Sequence, residues 1–129
     1  MDETSPAHHV MVIDSCQTVR EKSHAFLHSA GYGITTVSNG FEALAVIVAN
    51  PPDIAFVDAH LPGLDGYQTC SLINNNPQFT SIRLILLTCD ESSVCQEKAR
   101  LAGAMQTLSK PLEKDRMLHA MHTFLADRP

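Results

Sequence analysis

Ile54-Ala55-Phe56-Val57-Asp58 runs into Leu61-Pro62-Gly63-Leu64-Asp65-Gly66. Four apolar residues in succession read as a strand buried on both faces, and the stretch carrying Pro62, Gly63 and Gly66 reads as a tight turn. A lone carboxylate, Asp58, is thus pushed off the end of a buried strand, a position poised for chemistry. Three further strand-like runs also end in polar groups: Val10 to Ile13 in Asp14-Ser15, Ile82 to Leu87 in Thr88, and Met105 to Leu108 in Ser109-Lys110-Pro111.

Between these runs the period changes from strand to helix. Val19, Ser23, Phe26, Leu27 and Ala30 share one face of a first helix of about four turns, with Gly31 as a left-handed stop. Ile34 to Val37 is rich in β-branched residues and suits an edge strand. Asn39-Gly40-Phe41-Glu42 resembles a capping box that opens a helix through Ala49, closed by Pro51-Pro52. Asp65, with Gln68 at the reciprocal position, caps a third helix that ends at Asn74-Asn75-Asn76-Pro77. Asp90 is expected to cap a fourth, running to Ala102 with Gly103 as its stop. A fifth buries Met117, Leu118, Met121, Phe124 and Leu125 at helical spacing.

Strands alternating with helices, and too apolar to expose either face, imply an α/β fold: a doubly wound, five-stranded parallel sheet with helices on both faces. Right-handed crossovers leave few topologies, and the flavodoxin-like order 2-1-3-4-5 sets the ends of the first and third strands side by side at the switch point. Asp14 and Asp58 are expected to meet there, bordered by Thr88 and Lys110.

Composition narrows the function. The 129 residues, 44% of them hydrophobic, suit one domain. A core over about 9–126 and a short flexible segment at 1–7 are expected. Nine Lys and Arg against a net charge of −5 offer no basic stripe for nucleic acid and no cationic face for an anionic membrane. The start, Met1 to Pro6, lacks a basic segment followed by an apolar stretch, and no run is long enough to span a bilayer, so a cytoplasmic location is expected. Cys16, Cys70, Cys89 and Cys95 form neither a CxxC pair nor a disulfide framework and read as free thiols, with redox sensing at Cys16 or Cys89 a minor reading. The pairs His8-His9 and His119-His122 lack a third ligand and read as surface or packing residues.

Two carboxylates, a hydroxyl and an ammonium around one crevice suit transfer of a phosphoryl group to a carboxylate. Mg2+ takes hard oxygen ligands and screens the incoming charge, while Thr88 can donate to a phosphoryl oxygen and Lys110 supplies a fixed positive charge. Other users of similar folds are disfavoured. A flavodoxin needs a phosphate loop rich in Gly and hydroxyls, whereas Asp14-Ser15-Cys16-Gln17-Thr18-Val19-Arg20 has an acid and no Gly. GxxxxGK[ST] is absent, and His60 stands where an aspartyl phosphatase would ordinarily carry its second acid.

With Asp14, Asp58, Thr88 and Lys110-Pro111 in this order, and the Leu61-Pro62-x-Leu64-Asp65-Gly66 turn between them, the chain from Val10 to about Leu125 resembles the receiver domain of two-component signalling. That resemblance implies roles: Asp14 the acidic metal ligand, Asp58 the phosphoacceptor and a metal ligand, Thr88 the phosphoryl-binding hydroxyl, and Lys110 the lysine. The His60 backbone carbonyl completes the Mg2+ set, with Ser15 contributing weakly or through a water. It implies a non-enzymatic response regulator phosphorylated by a histidine kinase or phosphotransfer protein, with output to a protein target through the fourth helix, fifth strand and fifth helix. Asp65-Gly66-Tyr67-Gln68-Thr69-Cys70 with Asn74-Asn75-Asn76 is similar to stand-alone receivers of the chemotaxis-like system controlling type IV pili and twitching motility.

Departures from the family pattern carry expectations of their own. Ser15 stands where a second acid is usual, so Mg2+ should bind weakly. Thr107 stands where an aromatic is usual, leaving the switch that couples a Thr hydroxyl to a swinging ring incomplete, and Leu112 replaces a common Phe. His60 lies where family members vary and tune dephosphorylation. These replacements motivate the alternative of a degenerate, phosphorylation-independent docking module.

Overall fold

Each apolar run becomes a strand whose alternate residues face opposite layers of helices. The computed structural model describes residues 8–125. In chain order the elements are β1 (His9–Ile13), α1 (Gln17–Ser29), β2 (Gly33–Val37), α2 (Gly40–Ala49), β3 (Ile54–Asp58), α3 (Gly66–Asn74), β4 (Arg83–Thr88), α4 (Ser93–Leu101), β5 (Gln106–Ser109) and α5 (Lys114–Leu125). A 3-10 turn, Pro77–Phe79, precedes β4. All strand pairs are parallel and the order is β2-β1-β3-β4-β5, as the sequence predicts. The expected flexible segment at 1–7 and the end of the expected core at 126 lie outside the described residues. Among those described, no helix is long and apolar enough to cross a membrane.

Two cores result. Met11, Ile13, Ala55, Val57, Leu84 and Leu86 face α2, α3 and α4, meeting Ala43, Ile47, Cys70, Ile73 and Ala99. Val10, Val12, Ile54, Phe56, Ile85 and Leu87 face α1 and α5, meeting Leu27, Met117, Ala120 and Met121. Burial on both faces holds for β1, β3 and β4, whereas the edge strands β2 and β5 are half-buried over most of their length. In α5 Leu118 and Phe124 are only partly buried, and Ala120 takes an inner position instead. On α1 Ser23 and Leu27 are buried, while Ala30 is exposed.

The caps follow local chemistry with two departures. Asp65 and Gln68 form the expected capping box, their side chains exchanging bonds with each other's backbone at 2.8 and 3.0 Å. Asn39 caps α2 by accepting from Glu42 N–H, but Glu42 reaches back to the N–H of Ser38, one residue beyond the box. Asp90 does not cap α4. Its carboxylate accepts from Ser92 N–H at 2.9 Å, and Ser92 is the N-cap, accepting from Cys95 N–H. Gly31 and Gly103 end α1 and α4 at φ values of +94° and +99°.

Gly66 fixes the turn after β3. Its N–H donates to Ala59 O at 2.9 Å, and a Cβ at this position would run into the Asp58 carbonyl oxygen and Ala59 Cα, backbone atoms with no room to yield. Gly66→Ala is therefore expected to destabilise the domain by about 2 kcal/mol or more, as overpacking against unyielding neighbours does. Urea unfolding checks this; a loss under about 0.5 kcal/mol, the range of an ordinary surface substitution, would show that the turn gives way.

Candidate functional site

Parallel register decides which strand ends meet. Ile13 pairs with Val57 between β1 and β3, so the next residues, Asp14 and Asp58, stand side by side at the C-terminal edge of the sheet. Thr88 ends β4 beside Ser109 of β5, and the following Lys110 donates its N–H to Thr88 O at 3.0 Å. Each of the four sequence-predicted polar residues therefore reaches one edge, at the switch point between β1 and β3.

The carboxylates are deeply set, Asp14 fully buried and Asp58 only 3% exposed. Asp14 Oδ1 accepts from Cys16 N–H at 2.9 Å and Oδ2 from Lys110 Nζ at 3.0 Å. Asp58 Oδ1 accepts from His60 N–H at 3.2 Å and lies 3.4 Å from the same Nζ. One ammonium thus bridges both acids. Arg20 Nη1, which no sequence signal singled out, donates to the Asp14 carbonyl at 2.7 Å and holds the β1 end from the side of α1.

Burial, and then the negative charge of Asp14, push the Asp58 carboxyl above its ordinary value; the His60 amide and the Lys110 ammonium offset this only in part. Burial pulls Lys110 down, but the bond to Asp14 and the charges of both acids outweigh it and hold the ammonium above its usual value. The Thr88 hydroxyl is turned into its own loop, donating to Asp90 O at 3.2 Å and accepting from Asp90 N–H at 3.0 Å.

Ser15 and His60 lie on the exposed rim, where they line a cleft of about 550 Å3 with Pro62, Tyr67 and Lys98. Tyr67 and Lys98 were not legible as site residues, because α3 and α4 bring them together only in the folded chain. Thr107 lines a second cleft, of about 340 Å3, with Gln106, Arg116 and His119. The cysteines are free, with Cys16 and Cys89 exposed. His8 and His9 are engaged with Asp53 and Thr35 at the opposite end of the sheet, and His119 and His122 are exposed on α5.

Among the described residues no three His, Cys, Asp or Glu side chains are grouped to hold a metal. The donor set is two adjacent carboxylates, hard oxygens suited to Mg2+, which keeps several of its waters and often takes one or two carboxylates. The residues present fit that ion, with fewer charged ligands than a tight site would have.

A carboxyl raised in the folded state costs stability once ionised. Stability from this group falls as pH rises from the unfolded value through the folded one, so the cost is greater at pH 7 than in acid. Asp58→Asn, nearly isosteric, is expected to raise the melting temperature at pH 7 by roughly 3 °C, the scale of somewhat under 1 kcal/mol in a domain of this size. The gain should vanish below the ordinary Asp value of 3.8, where the carboxyl is protonated in both states. Calorimetry across pH 3 to 8 checks it; a lower melting temperature at pH 7 contradicts the electrostatics.

The sequence matches the response regulator receiver domain family over residues 10–122. Protein PilG of Pseudomonas aeruginosa is 40% identical over 121 residues, covering 94% of this chain and 90% of PilG. A proposed response regulator from Chloroflexus aurantiacus has a crystal structure with a TM-score of 0.87 and 31% identity, covering 95% of this chain and 99% of that one. The chemotaxis protein CheY4 of Vibrio cholerae, at 24% identity, shares the fold with a TM-score of 0.87 over 92% of this chain and 98% of its own. On the match across most of its length and the likeness to PilG, the chain belongs to the response regulator receiver domain family.

Proposed function

We propose that this chain is a stand-alone response regulator whose Asp58 accepts a phosphoryl group from a histidine kinase or phosphotransfer protein. The observation that carries this reading is the pair of buried, adjacent carboxylates, Asp14 and Asp58, bridged by the single ammonium of Lys110 at the sheet's switch point. An oxygen of Asp58 attacks phosphorus; the bond from phosphorus to the donor's imidazole nitrogen breaks, and that nitrogen keeps the electron pair. Asp14, Asp58 and the His60 backbone carbonyl would hold Mg2+, with Ser15 acting through a water. When bound, the ion neutralises charge on the phosphoryl oxygens. Lys110 swings a donor toward those oxygens while keeping Asp14 paired, and Thr88 exchanges Asp90 for a phosphoryl oxygen.

Output by protein contact is supported by the exposed apolar surface on α4 and just before β5. Val94 and Leu101 on α4 and Met105 before β5 are large apolar side chains more than half exposed, and the cleft beside Thr107 opens between β5 and α5. A downstream protein target on the α4, β5 and α5 face fits that surface, in cytoplasmic signalling of the chemotaxis-like kind that governs type IV pili; the likeness to PilG supports this setting. Nothing in this reading requires turnover of a substrate, nucleic acid or membrane insertion.

Intact-mass measurement after incubation with a small phosphodonor and Mg2+ is expected to show one added phosphoryl group, absent in Asp58→Ala. A wild type that stays unmodified by donor and by kinase would instead favour a docking module independent of phosphorylation.

Ser15→Asp adds a third carboxylate at the exposed rim beside Asp14. It is expected to tighten Mg2+ binding roughly tenfold and to lower metal-free stability through like-charge crowding. An unchanged Mg2+ titration would mean that residue 15 does not face the ion.

A further inference from the structure

Six large apolar side chains are at least half exposed among the described residues, and they fall into two sets. Val94, Leu101 and Met105 belong to α4 and the approach to β5. Phe41 (61% exposed), Val48 (70%) and Leu72 (50%) lie elsewhere, on α2 and α3. Of the ten residues of α2 only Glu42 is charged, and its carboxylate is taken up by Ser38 N–H at 2.9 Å. A helix apolar nearly all round is normally covered on every side, yet α2 buries only Gly40, Ala43 and Ile47. Its apolar content exceeds what the core uses.

The exposed side chains of the two helices flank one seam. A Cβ at Gly40 would meet Thr69 Oγ1 and Leu64 Cβ, so α2 touches α3 and the turn before it at that point. Gly40, Leu44 and Val48 recur every four residues, with Phe41 three before Leu44, which sets them along the flank of α2 that borders α3. Leu72, three after Thr69, stands on the facing flank of α3. Leu44 is partly buried and packs onto the core beneath. At one end the Phe41 ring lies against Gly63, in the turn that follows Asp58.

Charge selects the occupant of this strip. Between Lys22 and Arg83 the sequence holds no Lys or Arg, and that span contains the whole of α2 and α3. The charges beside the strip are acidic, Glu42 in the first turn of α2 and Asp65 at the N-cap of α3. A second copy would bring two acid-edged faces together in a chain of net charge −5, and an anionic bilayer would be repelled. A helix with apolar side chains at three- and four-residue spacing, and Lys or Arg along its flanks, matches both the strip and its edge. We propose that the face shared by α2 and α3 docks an amphipathic, basic-flanked helix of a partner protein. The proposal does not rest on phosphorylation of Asp58. Because α3 packs between α2 and α4, this face is separate from the α4, β5 and α5 surface, and a second partner can bind there.

Two synthetic peptides of about 18 residues test this, with the same leucines at helical spacing and flanks of lysine in one and glutamate in the other. Titrated into the isotope-labelled full chain, the lysine-flanked peptide is expected to shift the amides of Phe41 to Ala49 and of Leu72. It should bind ~10-fold more tightly than its glutamate twin. Val48→Ser combined with Leu72→Ser is expected to weaken it ~10-fold while moving the melting temperature by less than about 3 °C, since both side chains are exposed. Absence of binding, equal affinity of the two peptides, shifts confined to α4 and α5, or undiminished binding to the double variant overturns the proposal. Sedimentation of the protein alone and flotation with phosphatidylglycerol vesicles examine the other occupants. A dimer or a vesicle complex that the double variant abolishes gives the face to a second copy or to lipid, and overturns it likewise.

Discussion

Lys110 Nζ stands 3.0 Å from Asp14 and 3.4 Å from Asp58, and the arrangement of the whole edge depends on that shared ammonium. Two carboxylates set side by side out of water repel, and each carries a desolvation cost that attraction must offset. Two backbone amides, from Cys16 and His60, take one oxygen of each acid, but only Lys110 meets both. With a single positive charge between two negative ones, the crevice keeps a deficit of positive charge. Burial first, and then that deficit, explain why the Asp58 carboxyl is pushed above its ordinary value, and the deficit makes a divalent cation complementary to the pair.

The bridge in turn constrains the sheet. Lys110 follows β5, separated from Asp14 by 96 positions in the chain and by two intervening strands, and it can reach only if β3 and β4 lie between in parallel register. The apolar cores enforce that register, because a one-residue slip of β3 would carry Phe56 and Ile54 into the layer shaped for Val57 and Ala55. Hydrophobic burial supplies most of the free energy, while the charges occupy an edge that burial has already positioned. Helices divide unequally around this frame. Met117, Ala120, Met121 and Leu125 anchor α5, whereas α4 buries only Ala99 along its length and borders the cleft beside His60 through Lys98. The element best placed to respond is thus the one least secured by apolar contact.

Local signals were readable where one residue's own chemistry decides the outcome. Asp65 with Gln68 forms a capping box, Asn39 caps α2, and Gly31 and Gly103 take the left-handed conformation at helix ends. Reading failed at Asp90 and Ser92, two good caps two residues apart. Contacts with Thr88 and Cys95 draw Asp90 into an Asx-like turn and leave the cap to Ser92, a choice that no local preference distinguishes. Leu118 and Phe124 were placed too deep because helical spacing defines a face without saying how wide the covered stripe is.

By itself the sequence determined the α/β class, the strand order and the identity of the polar residues at the strand ends, since period, turn chemistry and crossover handedness are local or nearly so. The tertiary structure alone decided which charges touch. That Lys110 bridges both acids, that the Thr88 hydroxyl engages Asp90, and that the Lys98 ammonium lies over the Tyr67 ring are contacts that only the folded chain shows. Such contacts depend on ångström-scale register and helix placement, which arise from the packing of the two cores together and leave no mark on any single stretch of chain.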